Sequence, residues 1–138
     1  MVELEAWYDA KSAEPTSVKS PAELDAVLDA LAATRRPDLA ELTIEGDPGR
    51  ALLNVGIDGA RGRGVLYCSG AGDPGADAFF SRGAAEPGAE TIYYYMGSDT
   101  EFPADAELPV ADIRKAAHEF LRTGGERPSA IAWQLDEL

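Results

Sequence analysis

Apolar and polar residues alternate along several short stretches of this chain, and a period of two predicts β-strands. Near the N-terminus, Val2, Leu4, Ala6 and Tyr8 fall on one side of such a pattern, with acidic residues and Trp7 on the other. The same period predicts five further strands, over residues 39–45, 53–57, 65–69, 91–96 and 130–135.

Two stretches have helical spacing instead. Ser20, Pro21 and Glu23 are typical of a helix start, as N-cap, first helical residue and capping-box partner. A second helix is predicted over residues 110–122, ended by a left-handed glycine of the Gly124–Gly125 pair. Each helix carries one apolar stripe, made of Leu24, Val27, Leu28 and Leu31 in the first and of Ile113, Ala116, Ala117, Phe120 and Leu121 in the second.

The order of these elements predicts the fold class. Four strands follow one another without an intervening helix, which favours antiparallel pairing. We therefore expect an α+β fold, a mostly antiparallel sheet of about six strands with two helices packed on it. A length of 138 residues suits a single domain over residues 1–138. Residues 70–88 and 97–109 are expected to be long loops, the first around Phe79 and Phe80 and the second acidic.

The charge of the chain is strongly negative, with 25 acidic against 12 basic residues and a net charge of -13. Such a surface repels nucleic acid, phosphate ligands and anionic membranes and attracts basic proteins. From residue 83 to residue 113 there is no Lys, Arg or His. The acidic residues of this stretch are Glu86, Glu90, Asp99, Glu101, Asp105, Glu107 and Asp112.

The sequence has no signal of export or membrane insertion. Its first residues are acidic where a signal peptide needs basic residues, and no stretch approaches the roughly 20 apolar residues of a membrane span. A single cysteine excludes an internal disulfide, which suits a reducing compartment. We expect a cytoplasmic protein that contacts neither membrane nor nucleic acid.

Candidate catalytic residues are few. His118 falls off the apolar stripe of the second helix and is expected to be exposed, and Cys68 falls in a strand and is expected to be a small buried residue. One Cys and one His exclude a zinc site built from these residue types. A Cys68–His118 pair remains an alternative, as does chemistry by carboxylates of residues 70–88. Otherwise we expect no catalysis, no metal and no cofactor.

A glycine-rich stretch, residues 70–75, matches the dinucleotide-binding pattern in letters alone. Pro74 and Gly75 favour a turn where a helix must open, and Asp73 would repel a pyrophosphate. We therefore do not take the match as a sign of a dinucleotide cofactor.

The aromatic residues indicate a protein-binding surface. Tyr93 and Tyr95 lie opposite Ile92 and Tyr94 in their strand, so they belong either to the core or to an interface, and the sequence leaves both open. Phe102, in an acidic segment, is predicted to be an exposed anchor. The predicted partner-binding residues are Tyr93, Tyr95, Asp99, Glu101, Phe102, Asp105 and Glu107.

Residues 110–133 resemble the immunity proteins of bacterial polymorphic toxin systems, specifically Imm family one. The resemblance implies an α+β fold without catalysis and a cognate toxin encoded by the adjacent gene, often a nucleic-acid deaminase whose zinc belongs to the toxin. The matching motifs are Phe120 to Gly124, Arg127-Pro128, Trp133 and the upstream Phe102-Pro103.

These observations favour a toxin-neutralising protein with a basic partner, a nucleic-acid deaminase or nuclease. Two alternatives come from other classes. One is a small cytosolic enzyme that uses Cys68 or loop carboxylates. The other is a general acidic mimic of DNA that inhibits many basic proteins.

Overall fold

The computed structural model of the chain describes residues 3–9, 11–47, 49–70, 78–84 and 90–136. Two helices, α1 (Pro21–Ala33) and α2 (Val110–Thr123), accompany one sheet of ten strands in this part of the chain. The strands are β1 (Leu4–Trp7), β2 (Thr16–Val18), β3 (Pro37–Ile44), β4 (Leu52–Asp58), β5 (Arg63–Ser69), β6 (Phe79–Arg82), β7 (Thr91–Tyr95), β8 (Ser98–Phe102), β9 (Leu108–Pro109) and β10 (Ala132–Leu135).

The main path of the sheet runs β10-β6-β5-β4-β3-β1-β2, with antiparallel neighbours throughout. β7 joins β3 in parallel, next to the segment that β1 pairs, and β8 pairs with β7 as a hairpin. The α+β class, the two helices and the mostly antiparallel sheet are confirmed. The number of strands is about ten rather than about six.

Three of the ten strands, β6, β8 and β9, fall in the two segments predicted as loops, and β2 falls where no element was predicted. Each has two to five residues, too few for a clear period. The turn of the β7–β8 hairpin is also hard to recognise from the sequence. Its two central residues, Met96 and Gly97, both have positive φ, 49° and 89°. That conformation suits a tight hairpin, but Met-Gly is not among its usual signals. Of the predicted loop 70–88, residues 71–77 and 85–88 lie outside the described residues.

The predicted start of α1 and the predicted glycine end of α2 are confirmed. The Glu23 backbone N–H donates to Ser20 Oγ at 3.2 Å, and the Lys19 N–H donates to the Glu23 carboxylate at 2.9 Å. Gly124 caps α2 with a φ of 75°. Neither described helix is long and apolar enough to cross a membrane.

The two helices pack on one face of the sheet, and their predicted apolar stripes are buried there in the larger core cluster. The opposite, helix-free face has a smaller cluster of Leu39, Val65, Tyr93, Phe102 and Ala106. Gly56 makes this second cluster possible, since a Cβ there would meet Leu39, Val65 and Tyr93 at 2.7–2.8 Å. The β7–β8 hairpin therefore lies against the helix-free face and covers part of it.

Candidate functional site

The β7–β8 hairpin presents apolar and acidic side chains together on its outer side. Its register places Ile92 opposite Glu101 and Tyr94 opposite Asp99. Ile92 and Tyr94 are 39% and 37% exposed, and both acids are exposed as well. We call Ile92, Tyr94, Asp99 and Glu101 the hairpin outer face. Exposed apolar residues mark candidate interaction surfaces, and acids beside them favour a partner of opposite charge.

The inner side of the same hairpin holds two of the residues predicted to bind a partner. Phe102 is only 1% exposed and packs edge-on against Tyr93 and Phe80, with ring centroids 5.7 Å and 5.5 Å away. The prediction that Phe102 is an exposed anchor is therefore wrong, because its segment is a strand whose alternation turns this ring inward. Tyr93 is fully buried, so of the two alternatives it takes the core position.

The Tyr93 hydroxyl donates a hydrogen bond to a Glu107 carboxylate oxygen at 2.7 Å. Burial, and then this carboxylate, raise the pKa of Tyr93 well above its ordinary value. Arg61 donates two further hydrogen bonds to the Glu107 carboxylate and one to Asp58 at 2.8 Å. These bonds raise the pKa of the Arg61 guanidinium, which stays charged. The charge of Glu107 is thus neutralised within the molecule.

Asp105 is also tied to its surroundings. Its carboxylate accepts a hydrogen bond from the side-chain amide of Gln134 at 3.1 Å, and its carbonyl accepts one from the Gly83 N–H at 2.6 Å. Both bonds hold the short 3₁₀ helix Ala104–Ala106 against β6 and β10. Partner binding by Asp105 and Glu107 stays a prediction, and the structure gives each a role in the fold.

Glu101 has a second acid beside it. The neighbouring carboxyl of Glu90 raises the pKa of Glu101, first through a hydrogen bond and then through like-charge repulsion. Both residues line a groove of about 760 Å³ together with Arg82 and Leu135. A cation that approached this groove would relieve the repulsion, since each carboxylate would gain an opposite charge.

Tyr95 connects the hairpin to the helix-free face of the sheet. Its side chain is partly buried, and burial followed by the nearby Glu41 carboxylate raises its pKa. Glu41 is itself partly buried, which raises its own pKa. Tyr95 therefore borders both the hairpin and an acidic position on the sheet.

The residues considered for catalysis lie in other surroundings. Cys68 is buried in β5, and burial raises its pKa to about 11, so the thiol stays protonated at neutral pH. His118, expected to be exposed, is instead partly buried against α1, with Nε2 2.8 Å from Asp25 Oδ1. The hydrogen bond from His118, joined by Arg114, lowers the pKa of Asp25. In the described residues His118 thus links two helices rather than pairing with Cys68.

The motifs near the C-terminus have structural roles. Phe120 is fully buried, and the Trp133 indole N–H donates to the Pro128 carbonyl at 2.7 Å. The Arg127 guanidinium lies 4.2 Å from the centre of the Phe79 ring, a cation–π contact with β6. These motifs therefore fix the end of α2 against β10 and β6, and the hairpin outer face lies elsewhere.

Two helices on one face of a mostly antiparallel sheet, together with a hairpin that exposes acidic and apolar side chains, define an α+β protein. The chain belongs to the Imm1 immunity protein family, whose model, Immunity protein Imm1, matches residues 12–135. None of the curated proteins matches the sequence. The family match confirms the resemblance drawn from residues 110–133, and it implies a cognate toxin as partner.

Proposed function

We propose that this protein neutralises a cognate toxin that acts on nucleic acid, a deaminase or a nuclease, by covering its basic substrate groove with the hairpin outer face. The observation that carries the proposal is the hairpin register. It places two exposed apolar side chains, Ile92 and Tyr94, directly opposite two exposed acids, Glu101 and Asp99.

The chemistry of the partner follows from its substrate. An enzyme that binds nucleic acid needs lysine and arginine side chains against the phosphates. An inhibitor that presents carboxylates around apolar anchors meets both the charge and the apolar part of such a groove. The net charge of -13 adds long-range attraction, which accelerates encounter with a basic protein.

Each of the seven predicted partner-binding residues has a place in this proposal. Asp99 and Glu101 contact the toxin directly, and Tyr95 contacts it at the border with the sheet. Asp105 and Glu107 lie behind the hairpin and hold its base. The buried rings of Tyr93 and Phe102 support the surface from below, so they act on binding only through its shape.

Neutralisation by binding needs no catalysis, cofactor or metal from this chain. The protonated thiol of Cys68 supports a binding role over an enzymatic one. The proposal also places the protein in the cytoplasm, where a toxin that modifies nucleic acid would act.

The test measures the binding of this protein to the toxin domain that the adjacent gene encodes. The toxin domain carries a mutation that inactivates it. We expect the pair Asp99→Lys and Glu101→Lys to weaken binding at least 100-fold, because two attractive contacts become repulsive. The matched control is Glu14→Lys with Glu126→Lys, two exposed acids that change the net charge equally. The control should weaken binding only a few-fold, by isothermal titration calorimetry.

Three results would count against the proposal. Equal losses in the two double variants would mean that net charge alone drives binding. Absence of binding by the wild-type protein would remove the adjacent toxin as partner. Tight binding of the wild-type protein to unrelated basic nucleic-acid enzymes would favour a general mimic of DNA instead.

A further inference from the structure

A row of four side chains crosses the helix-free face of the sheet beside the hairpin. Trp7 pairs with Glu41, Glu41 with Asn54, and Asn54 with Tyr67, from β1 through β3 and β4 to β5. Directly opposite residues of antiparallel strands point to the same side, so all four share this face. We call Trp7, Glu41, Asn54 and Tyr67 the open row.

Part of the same face is covered and part of it is not. The hairpin packs its Tyr93 ring over Gly56, in the neighbouring row of β4. On the other side, Trp7 and Leu52 lie outside both core clusters of the described residues. The open row therefore lies at the border between the packed half of the face and the half that carries no packed element among the residues described.

Glu41 lacks an ionic partner at this border. It is partly buried, and no cation of the described chain forms an ion pair with it. A partly desolvated carboxylate is unfavourable without a compensating charge. Burial also raises the pKa of the Glu41 carboxyl.

Asn54 adds an independent observation. Its side-chain oxygen is buried and has no hydrogen-bond donor within the described residues. Leaving such an acceptor unpaired costs about 1–3 kcal/mol, and native proteins keep few such groups.

We propose that the open row binds an arginine side chain of the toxin, with its guanidinium donating to the Glu41 carboxylate and the Asn54 side-chain oxygen and one flat face against the neighbouring Trp7 ring. The partner's identity as a toxin rests on the proposed function. Arginine fits better than lysine because its planar fork gives several donors and also stacks on aromatic rings.

Charge around the open row favours a cation. Glu3 and Glu5 lie on the same face of β1, and Glu45 follows β3 beside them. Lys19 lies at the edge of this group, 3.9 Å from the Glu3 carboxylate. Tyr95 of β7 lies near Glu41, so the open row borders the inner side of the hairpin.

The first test needs no toxin. N-acetylarginine amide, at millimolar concentration, is titrated into the ¹⁵N-labelled protein. We expect it to shift the side-chain amide of Asn54 and the indole N–H of Trp7, and to shift them at least twofold less in Glu41→Gln. The control Glu14→Gln, an exposed acid in the β1–β2 connection, should retain the full shifts. Equal shifts in Glu41→Gln, or shifts confined to other residues, would overturn the arginine site.

The second test uses the inactivated toxin domain from the adjacent gene. Glu41→Gln should weaken its binding by about 10- to 100-fold, the range expected for a charged hydrogen bond, while Glu14→Gln changes it less than threefold. Unchanged affinity in Glu41→Gln beside tight wild-type binding would overturn the open row and leave the proposed function standing. If the wild-type protein fails to bind the toxin, the proposed function fails, and the arginine titration decides the open row by itself.

Discussion

Acidic residues of this protein have two different environments. Glu107, Asp58 and Glu119 accept hydrogen bonds from the chain itself, so their charges serve the fold. Asp99 and Glu101 are exposed on the hairpin, and Glu41 is partly buried without an ion pair among the described residues. The sequence predicts the acidity of this surface, but it treats all of these carboxylates alike. The position of hydrogen-bond donors in the structure distinguishes the acids that serve the fold from the others.

Glu119 provides a test of the acids that serve the fold. Its carboxylate accepts hydrogen bonds from the Ser129 N–H and hydroxyl, at 2.6 Å and 2.8 Å, and from the Ala130 N–H at 3.2 Å. Glu119→Gln replaces one acceptor with a donor, so we expect a loss of about 1–3 kcal/mol of unfolding free energy at pH 7, measured by urea denaturation. Glu126→Gln, at an exposed position nearby, should change it by less than about 0.5 kcal/mol.

The pH dependence of this effect has a defined sign. Burial raises the pKa of Glu119, but the hydrogen bonds from Ser129 and Ala130 outweigh it, so the pKa lies below its ordinary value. A lowered carboxylate pKa stabilises the fold above the pKa of the unfolded chain, about 4.3, and this contribution disappears as pH falls through the folded value. The difference between wild type and Glu119→Gln should therefore shrink below about pH 4. A constant difference down to pH 2 would contradict this role.

At the scale of elements, long periodic segments were predictable and short ones were not. The stripes of α1 and α2 repeat over three or more turns, and β4 and β5 have seven residues each, so their patterns are clear. β8 is a five-residue strand in which only Phe102 is buried. Its acidic positions are typical of a loop. The sequence therefore predicts Phe102 as exposed and leaves out Ile92 and Tyr94, which the structure exposes. The outward position of Ile92 and Tyr94 follows from the pairing of β7 with β3, and the sequence carries no signal for that pairing.

The hairpin owes its position to the absence of a side chain at Gly56. A Cβ at this position would lie 2.7–2.8 Å from Leu39, Val65 and Tyr93. Gly56→Ala should therefore cost about 1–3 kcal/mol of unfolding free energy through overpacking, and it should also displace the β7–β8 hairpin. Chemical shifts of β7 and β8 in NMR spectra report the displacement. Gly49→Ala is the control, because nothing lies within 4 Å of its Cβ, and it should leave these shifts unchanged.

If Gly56→Ala were as stable as the wild type and left the hairpin shifts unchanged, the close packing of Tyr93 over β4 would be wrong.

The net charge of -13 is spread unevenly over the molecule, because two arginines contact acidic residues at one place only. Residues 83–113 contain no basic residue, yet Arg61 reaches the Glu107 carboxylate and Arg63 donates to its carbonyl at 3.3 Å. Arg61, in the turn before β5, and Arg63, in β5, therefore offset the negative charge of Glu107 at the base of the hairpin. Acids without an ion pair among the described residues include Asp99 and Glu101 of the hairpin outer face and Glu41 of the open row. Membership of the Imm1 family implies a cognate toxin as partner.

In the proposed function, the hairpin outer face of this protein covers the active groove of a toxin that acts on nucleic acid. The most direct measurement is the activity of the purified toxin domain from the adjacent gene on its nucleic acid, with increasing amounts of this protein. One equivalent of the wild type should abolish the activity, whereas one equivalent of the double variant Asp99→Lys and Glu101→Lys should leave most of it. Full toxin activity in the presence of excess wild-type protein would contradict the account.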